Sequence, residues 1–531
     1  MEKQFDVVVV GAGPVGLLTA IELALGGADV LVLERLAGVN MTMKAMSVGP
    51  LGCEALTRRG MAAAIAAAEA NTFAAMDEFA KQTGAELRGR ASKYSGHFGG
   101  LSLIRKDAQK EPQRRPRLVR QHELEVMLAD RARVLGIEVR RGCGVTSFVQ
   151  QADGVDLEWV SSTDKGRISC SYLVACDGGR SFIRKMAGFD FPGTAPTSTF
   201  YQVVAEIDHP DRLLPIGWNR TSGGVFAYGP VPGRLFMLDF IGPPVDRQAP
   251  VTREEIEAVL RRISGADVRV KALESGSRWA DNTRLVDSYR LGRVLLAGDA
   301  AHVHSPFGGQ GLNLGLADAA NLGWKLASVI RGEMPESLLD TYTAERRPVA
   351  KAVLANTLAQ IAILRPDPQS GAMRDIVANL MQFDDVNRFI GEMMSGLATR
   401  YDLGSKLDAV GRLIGDQPIG HGDAGVSLYD LMQDGTGVLL DASTEGKASR
   451  LVAAATQKIC CVAVATGPSM LIRPDACVAW AGEEDSIDGL EETLRRWFID
   501  SDEACYSPQQ VGPLSSPAWP EEFPPQSAQP R

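Results

Sequence analysis

FDVVVVGAGPVGLLTAIELALGGADVLVLER, residues 5–35, decides the fold of this chain. DVVVV is a short unbroken apolar run, the pattern of a strand buried on both faces of a parallel sheet. Gly11, Gly13 and Gly16 follow as G-x-G-x-x-G, and from Leu17 the apolar positions recur with a helical period until Gly26-Gly27. ADVLVLE then reads as a second buried strand closing at Glu34. Strand, glycine turn, helix and strand form the dinucleotide-binding unit. Gly11 permits the tight turn, Gly13 lets the backbone approach a pyrophosphate, and Gly16 lets the helix sit close to the strand. The free N–H groups of the first helical turn meet the phosphate charge. At the end of the second strand Glu34 can accept hydrogen bonds from an adenosine ribose diol, which disfavours a 2′-phosphate there. NAD and FAD both fit these residues.

The totals set the frame around this unit. At roughly 100–200 residues per domain, 531 residues make about three domains. The net charge of -9 and the lack of a long basic block exclude nucleic acid as the expected partner. RRPRLVR (114–120), the densest basic patch, reads as a solvated loop and strand entry. The eight cysteines are scattered without a CxxC, as buried thiols in a reducing, cytoplasmic setting would be. The chain enters its first strand within five residues, so no signal peptide is expected, and no apolar run reaches the eighteen residues of a membrane span.

Two later stretches repeat the strand-then-turn theme. SYLVACDGGRSFIRKMAG (171–188) is a strand, an Asp177-Gly178-Gly179 turn and a helix start. GRVLLAGDAAHVHSPFGGQGLNLGLADAANLGWKLA (292–327) is a strand ending in Gly298-Asp299, a loop, and a helix. Asp299, His302 and His304 invite a metal reading, but a metal needs three or four converging ligands, and two histidines two apart in an extended loop point to opposite sides. No metal is expected, and the two histidines are assigned to loop packing.

GAGPVG, DGGRSFIR and AGDAAHVHSPFGGQGLN, in this order and spacing, resemble the flavoprotein aromatic hydroxylases, the single-component FAD monooxygenases with the fold of para-hydroxybenzoate hydroxylase. The resemblance covers about residues 5–350. It implies that Gly11, Gly13, Gly16 and Glu34, with the adjacent Arg35, hold the ADP half of FAD. Gly298 and Asp299 would serve the ribityl and pyrophosphate region, Gln121 the flavin tail, and Asp177 with Arg184 both FAD and the nicotinamide donor. Lys44, in MKAMSVGP, stands where the family usually has arginine, a point charge in place of a planar fork.

Pro306, Phe307, Gly308, Gly309 and Gly311 make a stiff-then-small loop suited to the edge of an isoalloxazine ring. Pro306, Gly308 and Gly309, with Asp177, are the expected catalytic positions. Gly311-Leu312-Asn313 opens the following helix, whose N-terminus is expected at the N1–C2=O edge of the flavin. A helix N-terminus stabilises an adjacent anion by up to about 2 kcal/mol, which favours anionic reduced flavin. The implied reaction uses NAD(P)H and O2, passes through a flavin C4a-hydroperoxide, and hydroxylates a phenolic or polyketide-type aromatic. A flavin oxidase or dehydrogenase, a halogenase and a flavin carrier without turnover are the alternatives. The Trp-rich WxWxIP signature of halogenases is missing.

The expected architecture is α/β. A Rossmann-type FAD domain occupies residues 1–71, 116–188 and 286–400. An antiparallel-sheet substrate domain (72–115 and 189–285) is inserted in it, followed by a thioredoxin-like domain without CxxC (401–505) and a proline-rich tail (506–531). STFYQVVAEI, GGVFAYGPV and RLFMLDFIGPP carry the antiparallel signal. LIRPDACVAWAG (471–482) resembles the last hairpin of the thioredoxin-like domain of the phenol and polyketide hydroxylases. Tyr201, Trp218, Phe226, Tyr228, Phe236, Met237 and Phe240 are the candidate pocket wall, with Tyr201 and Tyr228 as candidates for assisting phenol deprotonation. HFGGLSL (97–103) is expected to join the same chamber. A monomer or homodimer is expected.

Overall fold

The computed structural model describes residues 4–42, 44–83, 93–229, 231, 233–246, 249–419, 425–482 and 485–499. The proline-rich tail, Cys505 and His421 lie outside them.

Strand Gln4–Val10 is the centre of the main sheet. It pairs in parallel with Val30–Glu34 on one side and Lys165–Ala175 on the other. Val294–Leu296 and Glu138–Arg141 extend the parallel array at the two ends. Val7, Val8 and Val9 are fully buried, as their unbroken run requires. Helix Pro14–Leu25 covers one face and lies against the long helix Gln310–Ile330. The approach is set by small residues: a Cβ on Gly323 would stand 2.2 Å from Glu22 Cβ.

The roof is a five-stranded antiparallel sheet in the order Gly217–Thr221, Gly224–Tyr228, Arg234–Asp239, Thr199–Ile207, Val270–Ala280. Alternation gives it two buried faces. Tyr201, Val203, Phe226, Tyr228 and Met237 pack with Phe79 and helix Arg253–Ser264, whose N-terminus is capped by the Thr252 hydroxyl accepting from Glu255 N–H. Phe200, Val225, Ala227, Phe236 and Leu238 face the other way and pack with Trp218, Trp279 and Phe307. The roof joins the main domain where Gly193 bridges Arg284. Helix Ala62–Thr83 runs unbroken across residue 71, so the expected domain edge there falls inside a helix.

Residues 437–497 form a β-α-β-β-β-α unit with strand order Ile459–Ala463, Gly437–Asp441, Ser469–Ile472, Val478–Gly482. Its contact with the main domain is buried: Trp324, Met334 and Leu338 share one apolar cluster with Leu439, Leu471 and Trp497, and a polar network lies beside it. Arg473 sits between Glu345 (2.7 Å) and Asp475 (2.6 Å), and Lys325 of the long helix reaches Glu345 at 2.9 Å. Asn321 donates to both acids, and Trp324 and Trp497 lie against the Arg473 guanidinium. Two cations and two anions balance, so the burial leaves no uncompensated charge. Nearby, Arg59 pairs with Glu22 at 2.6 Å and donates to the carbonyls of Met432 and Pro474. The basic stretch 114–120 is only partly solvated and is ion-paired: Arg114 pairs with Glu54, and Arg115 and Arg117 both pair with Glu69. These ion pairs tie the segment to the two helices after the second strand. No helix among the described residues is long and apolar enough to cross a membrane.

Candidate functional site

A cavity of about 1110 Å³ runs from the glycine turn, past Lys44, Gln121 and Asp299, to the loop 306–312 and on beneath the roof sheet. The three glycines of the turn do different work. Gly11 has φ +109°, and a Cβ there would lie 2.4 Å from the Cys176 carbonyl oxygen. A Cβ on Gly16 would lie 1.9 Å from the Gly11 oxygen. Gly13, the N-cap of helix Pro14–Leu25, lines the cavity, and a Cβ there would meet nothing within 4 Å. Gly11 and Gly16 are thus filled by protein, while Gly13 is open to a ligand. Glu34 closes its strand just outside the cavity wall, its carboxylate accepting from the Ala12 and Leu36 N–H groups. Arg35 is exposed at the strand end.

The second half of the site is built by residues 297–313. Gly298 turns the chain with φ +61°, its space closed by Val15. Asp299 opens onto the cavity yet lies deep in the molecule, so burial pushes its carboxyl up against the opposing pull of His302 and Lys44. His302 and His304 diverge. His302 is fully buried and bonds Asp318 at 2.7 Å, and Asp318 in turn bonds Arg346 at 2.8 Å and accepts from Gly298 N–H. Burial alone would raise the Asp318 carboxyl, but Arg346 and His302 hold it below the usual range. His304 faces the cavity, with Nδ1 at 2.7 Å from the Ser305 carbonyl and Nε2 unpartnered. Burial, with some help from His302, pulls His304 down to about 4, so it is neutral at pH 7.

Gly308 (φ +81°) and Gly309 (φ +63°) make a left-handed double turn, and the long helix starts at Gln310, one residue before the expected Gly311. Space around the two glycines differs. A Cβ on Gly308 would lie 2.3 Å from Met394 Cε, whereas Gly309 is open. Asn313 holds the turn from behind, donating to the Gly309 carbonyl (2.8 Å) and accepting from Gly49 N–H (2.6 Å). Gln310 is turned away, bonded to Asn356 and the Met393 carbonyl. The first turn of the helix, through Gly311 and Leu312, therefore presents its free N–H groups to the cavity. A turn kept open, a positive helix end and a cavity of this size fit a flat, electron-accepting ring system.

The structure brings Gly13, Lys44, Gln121, Asp299, Pro306, Gly308, Gly309, Gly311 and Leu312 onto one cavity, with Trp218 and Phe236 at its far end. Several expected residues stand apart from it. Asn313 supports the turn from outside the wall. Asp177 Oδ2 accepts from the Phe182 and Ile183 N–H groups and caps a short helix, while Oδ1 is buried without a partner. Arg184 donates to the Ala300 and Gly179 carbonyls and stacks on Phe191 at 3.7 Å. It therefore props the two turns together from outside the cavity wall.

Among the aromatic candidates, Tyr201, Phe226, Tyr228 and Met237 lie on the far face of the roof. The Tyr201 hydroxyl bonds Glu255 at 3.1 Å, and Tyr228 packs edge-on to Phe79. Neither tyrosine reaches the cavity to assist a deprotonation. Phe240 lies under the Arg365 guanidinium, also off the cavity.

Gln202, Arg234 and Trp279 were not among the residues expected from the sequence, and His97 entered only within its loop; all four line the cavity together with Phe307. Gln202 neighbours Tyr201 on one strand, and its side chain donates to the Lys44 carbonyl. The period-two alternation of STFYQVVAEI marks them as opposite-facing, which is the signal that was there to use.

Comparison with known proteins agrees with this geometry. The family described as "FAD binding domain" matches residues 4–357, and "Aromatic-ring hydroxylase, C-terminal" matches 408–500. The chain is 37% identical over 524 residues to the 12-dehydrotetracycline 5-monooxygenase/anhydrotetracycline 6-monooxygenase of Streptomyces rimosus, spanning 93% of this chain and 99% of that one. It is 36% identical to the rifampicin monooxygenase of Streptomyces venezuelae, over 93% of this chain and 98% of the other. Among solved structures, the anhydrotetracycline hydroxylase from Streptomyces rimosus superposes with a TM-score of 0.81 at 35% identity, covering 93% and 99% of the two chains. The cavity, the open glycine turns and these relatives together place the chain in the family of FAD-dependent aromatic monooxygenases.

Proposed function

We propose that this enzyme hydroxylates a multi-ring, polyketide-type phenol lodged between the loop 306–312 and the roof sheet. The observation that carries the reading is the continuity of the cavity. From the open Gly13 it passes the helix end at Gly309–Leu312 and reaches a chamber walled by Trp218, Phe236, Trp279 and Phe307. The relatives named for tetracycline and rifampicin monooxygenation support a large substrate.

Bound FAD would supply the redox chemistry, taking a hydride from NAD(P)H and activating O2. The chain's residues do the rest. Gly13 and the first turn of its helix receive the pyrophosphate, with Gln121 and Asp299 alongside. The N–H groups at Gly311 and Leu312 stabilise negative charge at the pyrimidine edge. Phe307, locked against Phe200, Trp218 and Phe236 at 5.4–5.8 Å, excludes water from the reacting face. Among the described residues no side chain on the wall is placed as a nucleophile, and none is required. Lys44, whose carbonyl is fixed by Gln202, sets a positive charge near Asp299.

The C-terminal unit reads as thioredoxin-like and redox-inert. Its Cys460 and Cys461 are adjacent in one strand, and burial pushes the Cys461 thiol up. A cytoplasmic enzyme working as a monomer or homodimer, without nucleic acid, is consistent with the free thiols and the net charge of -9.

The test is NAD(P)H oxidation by the holoenzyme across phenols of one to four fused rings. Consumption coupled to hydroxylated product is expected to rise with ring number. Coupling only with single-ring phenols would overturn the multi-ring reading.

A further inference from the structure

We propose that His304 is a cofactor-binding residue whose Nε2 accepts a hydrogen bond from the 2′-hydroxyl of the ribityl chain of FAD. The inference rests on the reading that sets the pyrimidine edge of the flavin at Gly311 and Leu312.

The tautomer of His304 is fixed by its neighbour. Nδ1 lies 2.7 Å from the Ser305 carbonyl oxygen, which can only accept, so Nδ1 carries the proton. Burial, and then the charge of His302, hold the ring down to about 4, so it is neutral at pH 7 and Nε2 is a bare acceptor. That atom is buried, and among the described residues nothing donates to it. Buried acceptors are as a rule hydrogen-bonded, because an unmet one is costly. His302 is the contrast: its Nε2 is taken by Asp318 at 2.7 Å.

The position of Nε2 selects the donor. His304 shares the cavity wall with Asp299, Gly311 and Leu312. A Cβ on Gly311 would stand 3.3 Å from His304 Nε2 and 3.6 Å from Cε1. Gly311 is not among the glycines with a left-handed φ, so the backbone does not demand a glycine there. Its missing side chain instead leaves the imidazole edge room beside the first helical turn. The N–H groups of that turn suit the N1 and C2=O acceptors of the flavin. A bare acceptor at the same place needs a different part of the cofactor. The ribityl chain leaves the ring at N10, which is bonded to the same carbon as N1, so its 2′-hydroxyl is the donor nearest that edge. The donor of the ring itself, N3–H, lies beyond the C2 carbonyl. Pairing the 2′-hydroxyl with Nε2 satisfies both groups and holds the ribityl chain against the helix end.

The experiment titrates flavin-free protein with FAD, its 2′-deoxyribityl analogue and 1-deaza-FAD, in wild type, His304→Gln, His304→Leu and His304→Asn. Dissociation constants of the analogues are read by competition with FAD, followed through flavin fluorescence. Wild type is expected to bind FAD about threefold to tenfold more tightly than the 2′-deoxy analogue. The glutamine oxygen can reach the place of Nε2, so His304→Gln should keep part of that preference. Leucine offers no acceptor and asparagine ends at the place of Nδ1, so both should lose it. The preference is a ratio within one protein, so looser packing that weakens both ligands alike does not imitate it. Equal wild-type affinities for FAD and the 2′-deoxy analogue overturn the proposal. So does a preference that survives in whichever of His304→Leu and His304→Asn folds, or a His304→Gln variant that discriminates no better than they do. 1-Deaza-FAD lacks the N1 acceptor and separates the two readings. If it binds wild type as tightly as FAD, the placement of the pyrimidine edge fails and the proposal with it. If it binds weakly while the 2′-deoxy analogue binds like FAD, the role of His304 alone fails.

Discussion

Replacing Gly13 by alanine separates folding from cofactor binding. Gly13 has φ -75° and ψ 178°, an extended conformation open to any residue, and the new methyl meets nothing within 4 Å. The flavin-free fold should therefore be unharmed. A Gly→Ala change at a compatible site raises stability by about 0.4–1 kcal/mol through the unfolded chain. The methyl projects instead into the space that a pyrophosphate needs in order to reach the helix N-terminus. Loss of one charge-assisted hydrogen bond costs about 1.5–3 kcal/mol, which is about a 10-fold to 150-fold weaker Kd for FAD.

Gly16→Ala is the contrast. Its Cβ would sit 1.9 Å from the Gly11 carbonyl oxygen, so strand and helix must part. Overpacking of that kind costs about 3 kcal/mol or more. The assay is thermal unfolding of both flavin-free variants, followed by FAD titration monitored through flavin fluorescence. Gly13→Ala should melt at or above wild type and bind FAD weakly, and Gly16→Ala should melt low. Wild-type FAD affinity in Gly13→Ala would refute the assignment of the open turn to the pyrophosphate.

Further consequences concern the roof, the docked unit and pH. Trp218→Ala should raise KM for a multi-ring phenol at least tenfold, since losing the apolar contact of one aromatic side chain costs about 1.5–3 kcal/mol, while Tyr201→Phe, which loses only a bond to Glu255 off the cavity, should leave KM and kcat within twofold; steady-state kinetics decide. Arg473→Met leaves Glu345 and Asp475 buried without their main partner, a loss of about 3–5 kcal/mol. Hydrogen exchange should then rise across residues 437–498 and the C-terminal half of the long helix, and unchanged exchange would contradict the docking role given to this network. His304 and His97 lie near 4 in the folded chain, against about 6.5 when unfolded. Between these values the unfolded chain binds more protons, so stability of the flavin-free protein climbs from about pH 4 to 6.5 and that contribution is lost as pH falls. The His97→Asn/His304→Asn double variant should show a shallower climb in Tm over that window.

The parts of the fold legible in the sequence are those governed by local rules. Val7–Val10, the glycine spacing and Glu34 specify strand, turn, helix and strand within 31 consecutive residues, and the structure has each in place. The loop 306–312 was legible for the same reason: Gly308 and Gly309 have the positive φ that small residues allow. What stayed hidden depends on partners far along the chain. Tyr201 and Gln202 are both buried, at 7% and 6% exposure, so hydrophobicity could not say which of two buried faces looks into the cavity. The Tyr201 face was claimed by helix Arg253–Ser264, about 50 residues on. Asp177 and Arg184 sit in a recognisable motif, yet their side chains are consumed by backbone groups of their own turn and of Ala300. Arg114, Arg115 and Arg117 looked solvated because Glu54 and Glu69, which pair with them, come from helices far earlier in the chain.

The fate of oxygen tests the monooxygenase chemistry most directly. Holoenzyme turning over a multi-ring phenol with NAD(P)H under oxygen-18 gas should yield product carrying one labelled atom, with NAD(P)H consumed in step. Product formed without label, or NAD(P)H consumed with only hydrogen peroxide to show for it across the whole panel, would contradict the monooxygenase reading of the cavity.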